Sequence, residues 1–348
     1  MMAAPCSGPL PSSPNDDTGS WLICTACGTQ FPTSDPAAQQ TCFICDDPRQ
    51  FAPPTGQSFT TLDALRAPGS GYKNEFTPLL PINSNNPSSS PSPSSSNDDD
   101  TETFTSIHTT PRFAIGQRAI LVRTPRGNIL WDCLTLLDAA TVAEIASRGG
   151  LAAIVISHPH YYTTHLEWSR AFSCPVYLAA EDARWLAQRP APSSQQSPQQ
   201  IFVPETETEY DVPVGGAPSG FTVLKLGGHF PGSGVGLYRG RLLVADTLVT
   251  TPSGVGGYGR RGQRPRGMNS YAFMWSIPNM IPLAPADLAR MWGVLRRHEF
   301  RSTHGAFPGL DIVGADGAEM KRRVLESMQI QIRHSGHEDH ALLKETVA

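Results

Sequence analysis

Leu151 to Ile156 is a short apolar run that stops abruptly at Ser157-His158-Pro159-His160. A run so short and so uniformly apolar suits a strand buried on both faces, the environment of a sheet covered by helices. That points the chain to a layered α/β architecture and leaves two imidazoles at the strand's C-terminal end. Loops outside strand ends are where such folds bind ligands, so His158 and His160 read as a metal grip. In extended chain residues i and i+2 share a face, and Pro159 holds His158 out of the helical region, so both rings can converge. The competing reading is a pair of capping or core histidines. His165, a few residues on, is either a further ligand or a core residue.

The same placement recurs along the chain. Phe221 to Leu226 reads as a strand ending in Gly227-Gly228-His229, in a glycine-rich turn where backbone can approach a ligand. Arg241 to Ala245 ends in Asp246-Thr247, and Phe300 to Thr303 leads into His304-Gly305. Independent core histidines have no reason to share a position at strand ends. Three imidazoles with an open position make the ligand count of a catalytic zinc site.

A second metal signal precedes this region. Of seven cysteines, four form Cys24-Thr-Ala-Cys27 and Cys42-Phe-Ile-Cys45, with 14 residues between the pairs. No apolar leader opens the chain, and no apolar run is long enough to span a bilayer, so a cytoplasmic protein without membrane contact is expected. In that setting the four cysteines read as a closed structural zinc site, a small ribbon that stabilises a fold and does no chemistry. The whole chain's net charge of −4 decides nothing about nucleic acid, but between Trp21 and Gln57 the only basic residue is Arg49, against Asp35, Asp46 and Asp47. Nucleic acid is therefore not an expected partner. The ribbon is expected to pack on the main domain or on a protein.

The organisation that follows is residues 1–18 disordered, 19–57 zinc ribbon, 58–82 a connecting segment with a short helix at Thr60 to Arg66, and 83–104 a disordered low-complexity insertion. The insertion can be a linker or an expanded loop. Residues 105–312 form the main domain. There, a hairpin turns at Arg123 to Gly127, and a helix at Asp138 to Arg148 shows capping-box spacing at Thr141 and Glu144. Strand, helix and strand then alternate, an α/β pattern with a mixed sheet. Residues 313–348 hold a C-terminal helix and tail, packed on the domain edge or forming a homodimer contact.

From Phe113 to about Gly309, the order of hairpin with Asp132, His-x-His, Gly-Gly-His229, Leu-Val-Ala-Asp246 and Thr-His304-Gly resembles the metallo-β-lactamase fold hydrolases. The resemblance implies an αββα sandwich preceded by the ribbon. It also implies a first metal held by His158, His160 and His229, with Asp246 and His304 serving a second position. The family's next two ligands, an Asp-His pair, are replaced by Tyr162-Thr163, so one active-site metal is expected, zinc or another divalent ion.

A metal-dependent hydrolase follows as the expected activity: a zinc-held hydroxide attacking an ester, thioester, lactone or phosphoester. Asp246 would orient the water, His304 would polarise substrate or protonate the leaving group, and Tyr161 or Tyr162, the latter taken as the catalytic one, would donate to an oxyanion. Tyr161 and Tyr162 also read as core caps. Arg260, Arg261, Arg264 and Arg266 in a glycine-rich loop read either as a lid favouring an anionic small-molecule substrate or as a solvated loop. A catalytically weak scaffold that keeps fold and ribbon is the other function class.

Overall fold

The computed structural model describes residues 18–79, 103–189, 199–256, 264–265 and 267–347. Strand β1 (Leu22–Cys24) pairs antiparallel with β2 (Phe59–Thr61), and Thr61 caps helix α1 (Leu62–Arg66) by accepting from the Ala64 amide. Strand β3 (Lys73–Pro78) then pairs antiparallel with β4 (Phe104–Thr110). The stretch expected to be a connector therefore does two structural jobs: it closes the ribbon and supplies the edge of the first sheet. The low-complexity insertion joins two neighbouring strands of that sheet, so it is a loop inside one domain. It also ends earlier than expected, because Phe104 is fully buried at the start of β4; the rest of it, before Thr103, lies outside the described residues.

The first sheet continues through the expected hairpin, β5 (Arg118–Thr124) and β6 (Gly127–Trp131). Helix α2 (Ala139–Ser147) follows, capped by Asp138, whose carboxylate accepts from the Thr141 amide at 2.8 Å. Thr141 itself is buried inside the helix, so the Thr141/Glu144 pair is not the cap. Strand β7 (Ala153–Val155), helix α3 (His165–Phe172), and strands β8 (Val176–Ala179) and β9 (Gln200–Val203) complete a seven-stranded mixed sheet, with β6 to β9 parallel.

The second sheet begins with β10 (Glu209–Val214), β11 (Ala217–Lys225), β12 (Gly234–Tyr238) and β13 (Arg241–Leu243), an antiparallel meander. Two small pairs, β14 (Val249–Thr250) with β15 (Tyr271–Ala272) and β16 (Met274–Ser276) with β17 (Ile281–Pro282), flank it, with the short α4 (Pro252–Val255) between β14 and β15. After helix α5 (Pro285–Leu295), β18 (Ser302–His304) returns parallel to β13, and β19 (Asp311–Val313) and helix α6 (Gly317–His334) end the domain.

Alternation along the strands builds the layers, since successive side chains take opposite faces. Ile129, Trp131 and Val155 meet Phe221, Val223 and Leu243 between the sheets. Leu130 and Ile154 face Ile145 and Trp168 on one outer side. Leu224 and Leu242 face Leu288, Met291, Val324 and Met328 on the other. The order helix, sheet, sheet, helix is the αββα sandwich, and Leu151 to Ile156 sits in it as expected, covered on both faces. Helix α6 is part of that second outer layer, with Met320, Val324, Leu325, Met328 and Ile332 buried, so its apolar face is used within the chain.

The ribbon is seated on this sandwich rather than tethered to it. Cys24, Cys27, Phe31 and Ile44 belong to the same buried cluster as Leu134, Trp168 and Phe230. At the seat, Gly28 has φ +81°, and a Cβ there would stand 2.0 Å from Thr135 Oγ1, so only glycine allows the approach.

Candidate metal centre

Four side chains carried on three separate strand ends converge. His158 and His160 follow β7, His229 follows β11 and Asp246 follows β13; one ligand atom from each lies within 4.8 Å of all the others, and all four residues are buried. The His-x-His convergence does not come from extended chain. His158 is extended (φ −169°, ψ 169°), but Pro159–Tyr161 forms a 3₁₀ turn with proline in its first turn, where its fixed φ is already helical. Residues three apart eclipse in such a turn, which brings Tyr161 back onto His158, ring centroids 4.3 Å apart.

The spacing fits a metal ion. His229 Nε2 and His160 Nδ1 are 3.2 Å apart, and Asp246 Oδ2 lies 3.3 Å from His158 Nε2, 3.7 Å from His160 Nδ1 and 3.8 Å from His229 Nε2. A tetrahedron with bonds of about 2.0–2.1 Å has edges of about 3.4 Å. Burial pushes the His160 and His229 imidazoles down to about 4 and lowers His158 too, so near neutral pH the rings are uncharged and present lone pairs. Burial opposes ionisation of Asp246, yet the surrounding His158, His160 and His229 hold its carboxyl well below the ordinary range. Neutral imidazoles around one carboxylate make a donor set for a divalent cation.

A surrounding layer orients these groups. Ser157 Oγ lies 2.8 Å from His158 Nδ1 and holds that side of the ring, which leaves Nε2 turned toward Asp246. Asp132, at φ +62°, accepts from the Ser157 amide at 2.8 Å, and its burial pushes the carboxyl up to about 7. Tyr161 donates its hydroxyl to Asp246 Oδ1 at 2.8 Å. Arg49 reaches in from the ribbon: it pairs with Asp47, lies 3.9 Å over Phe230 and donates to the His229 carbonyl at 3.2 Å.

Two expected site residues, His304 and Tyr162, are placed elsewhere, and His165, left open between ligand and core, is buried away from the cluster. His304 does not join the cluster. Its register partner on β19 is Asp311, whose Oδ1 lies 2.8 Å from Nδ1, while Nε2 faces Ser302 Oγ at 3.0 Å and Arg241 Nη1 at 3.4 Å. Both ring nitrogens are thereby engaged, and Asp311, held down to about 2 despite burial by His304 and Arg118, anchors the ring. Tyr162 also points away, because one further step along the turn carries it to the other side; its buried hydroxyl is raised well above its ordinary range by burial and by Asp182 and Glu181. Tyr161 holds the position expected of Tyr162. His165 is a core residue, donating from Nδ1 to the Tyr162 carbonyl at 2.8 Å and accepting on Nε2 from Gln200 at 2.7 Å.

That role gives His165 a testable pH signature. Burial pushes it down to about 4, from 6.5 unfolded, so between those values the unfolded chain binds the proton the folded chain refuses. Stability is complete above the unfolded value and falls as pH drops through the window, by about 2 kcal/mol for this group at about pH 5. Urea unfolding of His165→Gln is expected to lose that share of the acid sensitivity; an unchanged pH dependence would remove the core assignment.

The second cluster is the four cysteines, unbonded and buried. Cys24 and Cys45 Sγ are 3.6 Å apart and Cys27 and Cys42 Sγ 3.7 Å, against edges of about 3.8 Å for a tetrahedron of bonds about 2.3 Å long. Their protons are shared unequally. Hydrogen bonds from Cys27, Cys42 and Cys45 pull Cys24 down, while burial holds Cys27 up. The donor set suits zinc.

Between ribbon and sandwich a cleft of about 310 Å³ opens onto His160 and Asp246, with Phe51, Leu248, Ile277 and Phe307 among its walls. Of the arginine-rich loop, Arg260, Arg261 and Arg266 lie outside the described residues; Arg264 pairs with Glu326 on α6.

The Metallo-beta-lactamase superfamily profile matches residues 114–288. The uncharacterized protein YmaE of Bacillus subtilis (strain 168) is 31% identical over 324 residues, 90% of this chain and 99% of YmaE. Among solved structures, a B3 metallo-beta-lactamase with an active-site glutamic acid superposes with a TM-score of 0.41 at 12% identity, over 68% of this chain and 89% of its own. The FIM-1 metallo-beta-lactamase from Pseudomonas aeruginosa, in its mono-zinc form, gives 0.40 at 14% identity, over 66% and 92%.

Proposed function

Since the chain belongs to the metallo-β-lactamase superfamily, we propose that it is a metal-dependent hydrolase of esters, thioesters, lactones or phosphoesters, with one ion at its active site. The observation that carries this reading is the gathering of His158, His160, His229 and Asp246, buried and within 4.8 Å of one another beside an open cleft. His158 Nε2, His160 Nδ1 and His229 Nε2 would hold the ion, zinc or another divalent metal, with Asp246 alongside. When bound, the ion supplies the Lewis acidity that makes a water nucleophilic near neutral pH.

The remaining work falls to the chain's own groups. Ser157 holds the His158 ring in orientation, and Asp132 holds the Ser157 backbone in place. Asp246, kept ionised, can accept a proton from water on Oδ2, while the Tyr161 hydroxyl on Oδ1 holds the carboxylate in one orientation. The ribbon ion would be zinc held by Cys24, Cys27, Cys42 and Cys45, with no part in the chemistry.

One observation favours a second reading, a catalytically weak scaffold. Tyr162-Thr163 stand where an Asp-His pair would extend the ligand set, and Asp246 Oδ1 is already engaged by Tyr161. A panel of chromogenic esters, thioesters, lactones and phosphodiesters separates the two. The expected result is turnover of at least one class, lost to a chelator and restored by zinc, manganese or iron. No turnover under any metal would leave the scaffold.

A further inference from the structure

We propose that the cleft selects substrates by an uncharged, apolar arm beside the scissile group, and that the cysteine ribbon supplies one of the two walls gripping that arm. The proposal rests on the hydrolase reading only for which end of the substrate meets His160 and Asp246. The walls themselves argue the rest.

Charge is confined to the floor. Apart from His160, Asp246 and Arg49, the cleft is lined by uncharged and mostly apolar side chains. The Arg49 charge is already committed to Asp47, to the His229 carbonyl and to the faces of Phe230 and Trp185. Arg264, the one described arginine of the arginine-rich loop, is turned to Glu326. Among the described residues no other cation is directed at this apolar slot, so an anionic arm would lose its hydration there without return. An apolar arm gains free energy from the same surface.

The two walls come from different parts of the chain. Phe51 follows Arg49 out of the ribbon, and Ile277 stands on the turn between β16 and β17. They are tied together, since Ser276 Oγ and Asn279 Nδ2 both donate to the Pro48 carbonyl, the latter at 2.7 Å. Phe51 is 58% exposed and Ile277 39%, an unusual placement for large apolar side chains that line a concavity leading to buried ligand groups. A volume of about 310 Å³ holds an arm of several carbons. Apolar contact made there lies away from the reacting bond, the kind of remote binding energy that orients a substrate.

The test uses the full chain loaded with zinc and a homologous series of straight-chain hydroxamic acids, acetyl to octanoyl, titrated calorimetrically. The hydroxamate supplies a metal-binding head that is not hydrolysed, so the readout is independent of turnover. Affinity is expected to rise by up to about fourfold per added methylene in the wild type, the fold-change of fully burying one such group. Phe51→Ser and Ile277→Ser are expected to flatten that dependence, and Met280→Ser, at a side chain 80% exposed and outside the cleft lining, to leave it intact.

A flat series in the wild type, no binding of any member, or a slope unchanged in Phe51→Ser overturns the proposal. So does a Met280→Ser slope flattened as far as that of Phe51→Ser, which would mark general surface stickiness. A chain that binds with the expected slope but hydrolyses nothing keeps this proposal and loses the hydrolase reading; turnover with a flat series does the reverse.

Discussion

His160→Ala is expected to lower turnover by about a thousandfold or more, equivalent to about 4 kcal/mol of barrier, while the folded ribbon persists. The ring is buried, and its Nδ1 lies 3.2 Å from His229 Nε2 and 3.7 Å from Asp246 Oδ2, so it closes two edges of the ligand polyhedron. Alanine opens both edges and leaves Asp246 with two imidazole neighbours in place of three. Metal content should fall from about two ions per chain to about one, because the four thiolates keep theirs. The two readouts are needed together. Lost turnover with an unchanged ion count would mean that His160 acts on substrate rather than holding metal. Retained turnover with one ion lost would move the chemistry away from this cluster.

The second large effect is on stability. Cys42→Ser removes one of four ligands from a site buried in the same cluster as Leu134, Trp168 and Phe230. A module of this size has little core of its own, so its metal-binding energy is folding energy. A loss of about 4 kcal/mol is expected, read as a lower melting temperature and as new reactivity of Cys24, Cys27 and Cys45 toward a thiol reagent. The loss should reach the catalytic cluster as well, because Arg49 crosses from ribbon to sandwich to hold the His229 carbonyl. Removing such an outer support typically costs about tenfold to a hundredfold in metal affinity. Unchanged melting and unchanged thiol reactivity would mean the cysteines bind no structural ion.

The cysteine cluster and the His158–His160 pair were legible in the amino-acid sequence because their determinants are local, whereas His229 and Asp246 were joined to that pair only by the family resemblance. The C-x2-C spacing fixes two knuckles, and an apolar run ending in His-x-His names its own depth and its own end. Local pattern gave an α/β chain with a mixed sheet, and the resemblance supplied the αββα sandwich; the alternation of Ile129, Leu130 and Trp131 between two buried faces is what realises it. His304 was misplaced because its orientation is decided by cross-strand register, which pairs it with Asp311. No spacing within Phe300 to Gly305 carries that information. Arg49 was read only as the ribbon's lone basic residue, since its contact with His229 spans 180 positions. Between Tyr161 and Tyr162 the choice fell on Tyr162, because extended chain was assumed where Pro159 starts a 3₁₀ turn. Strand β10 escaped notice because Pro213 sits within it, at a register shift that lets the strand tolerate a missing donor.

The edge hairpin has a consequence for what can be grafted into this chain. Leu79 donates its amide to the Phe104 carbonyl at 3.0 Å, so the two ends of the serine-rich stretch are held side by side by the sheet itself. Closing a longer loop between fixed posts costs only about 0.6 kcal/mol per doubling of its length. The hairpin is thus a natural docking port: a folded cargo whose own termini lie close together can be spliced there, at the outer edge of the first sheet, with β5 and β6 standing between it and the strand that carries His158 and His160.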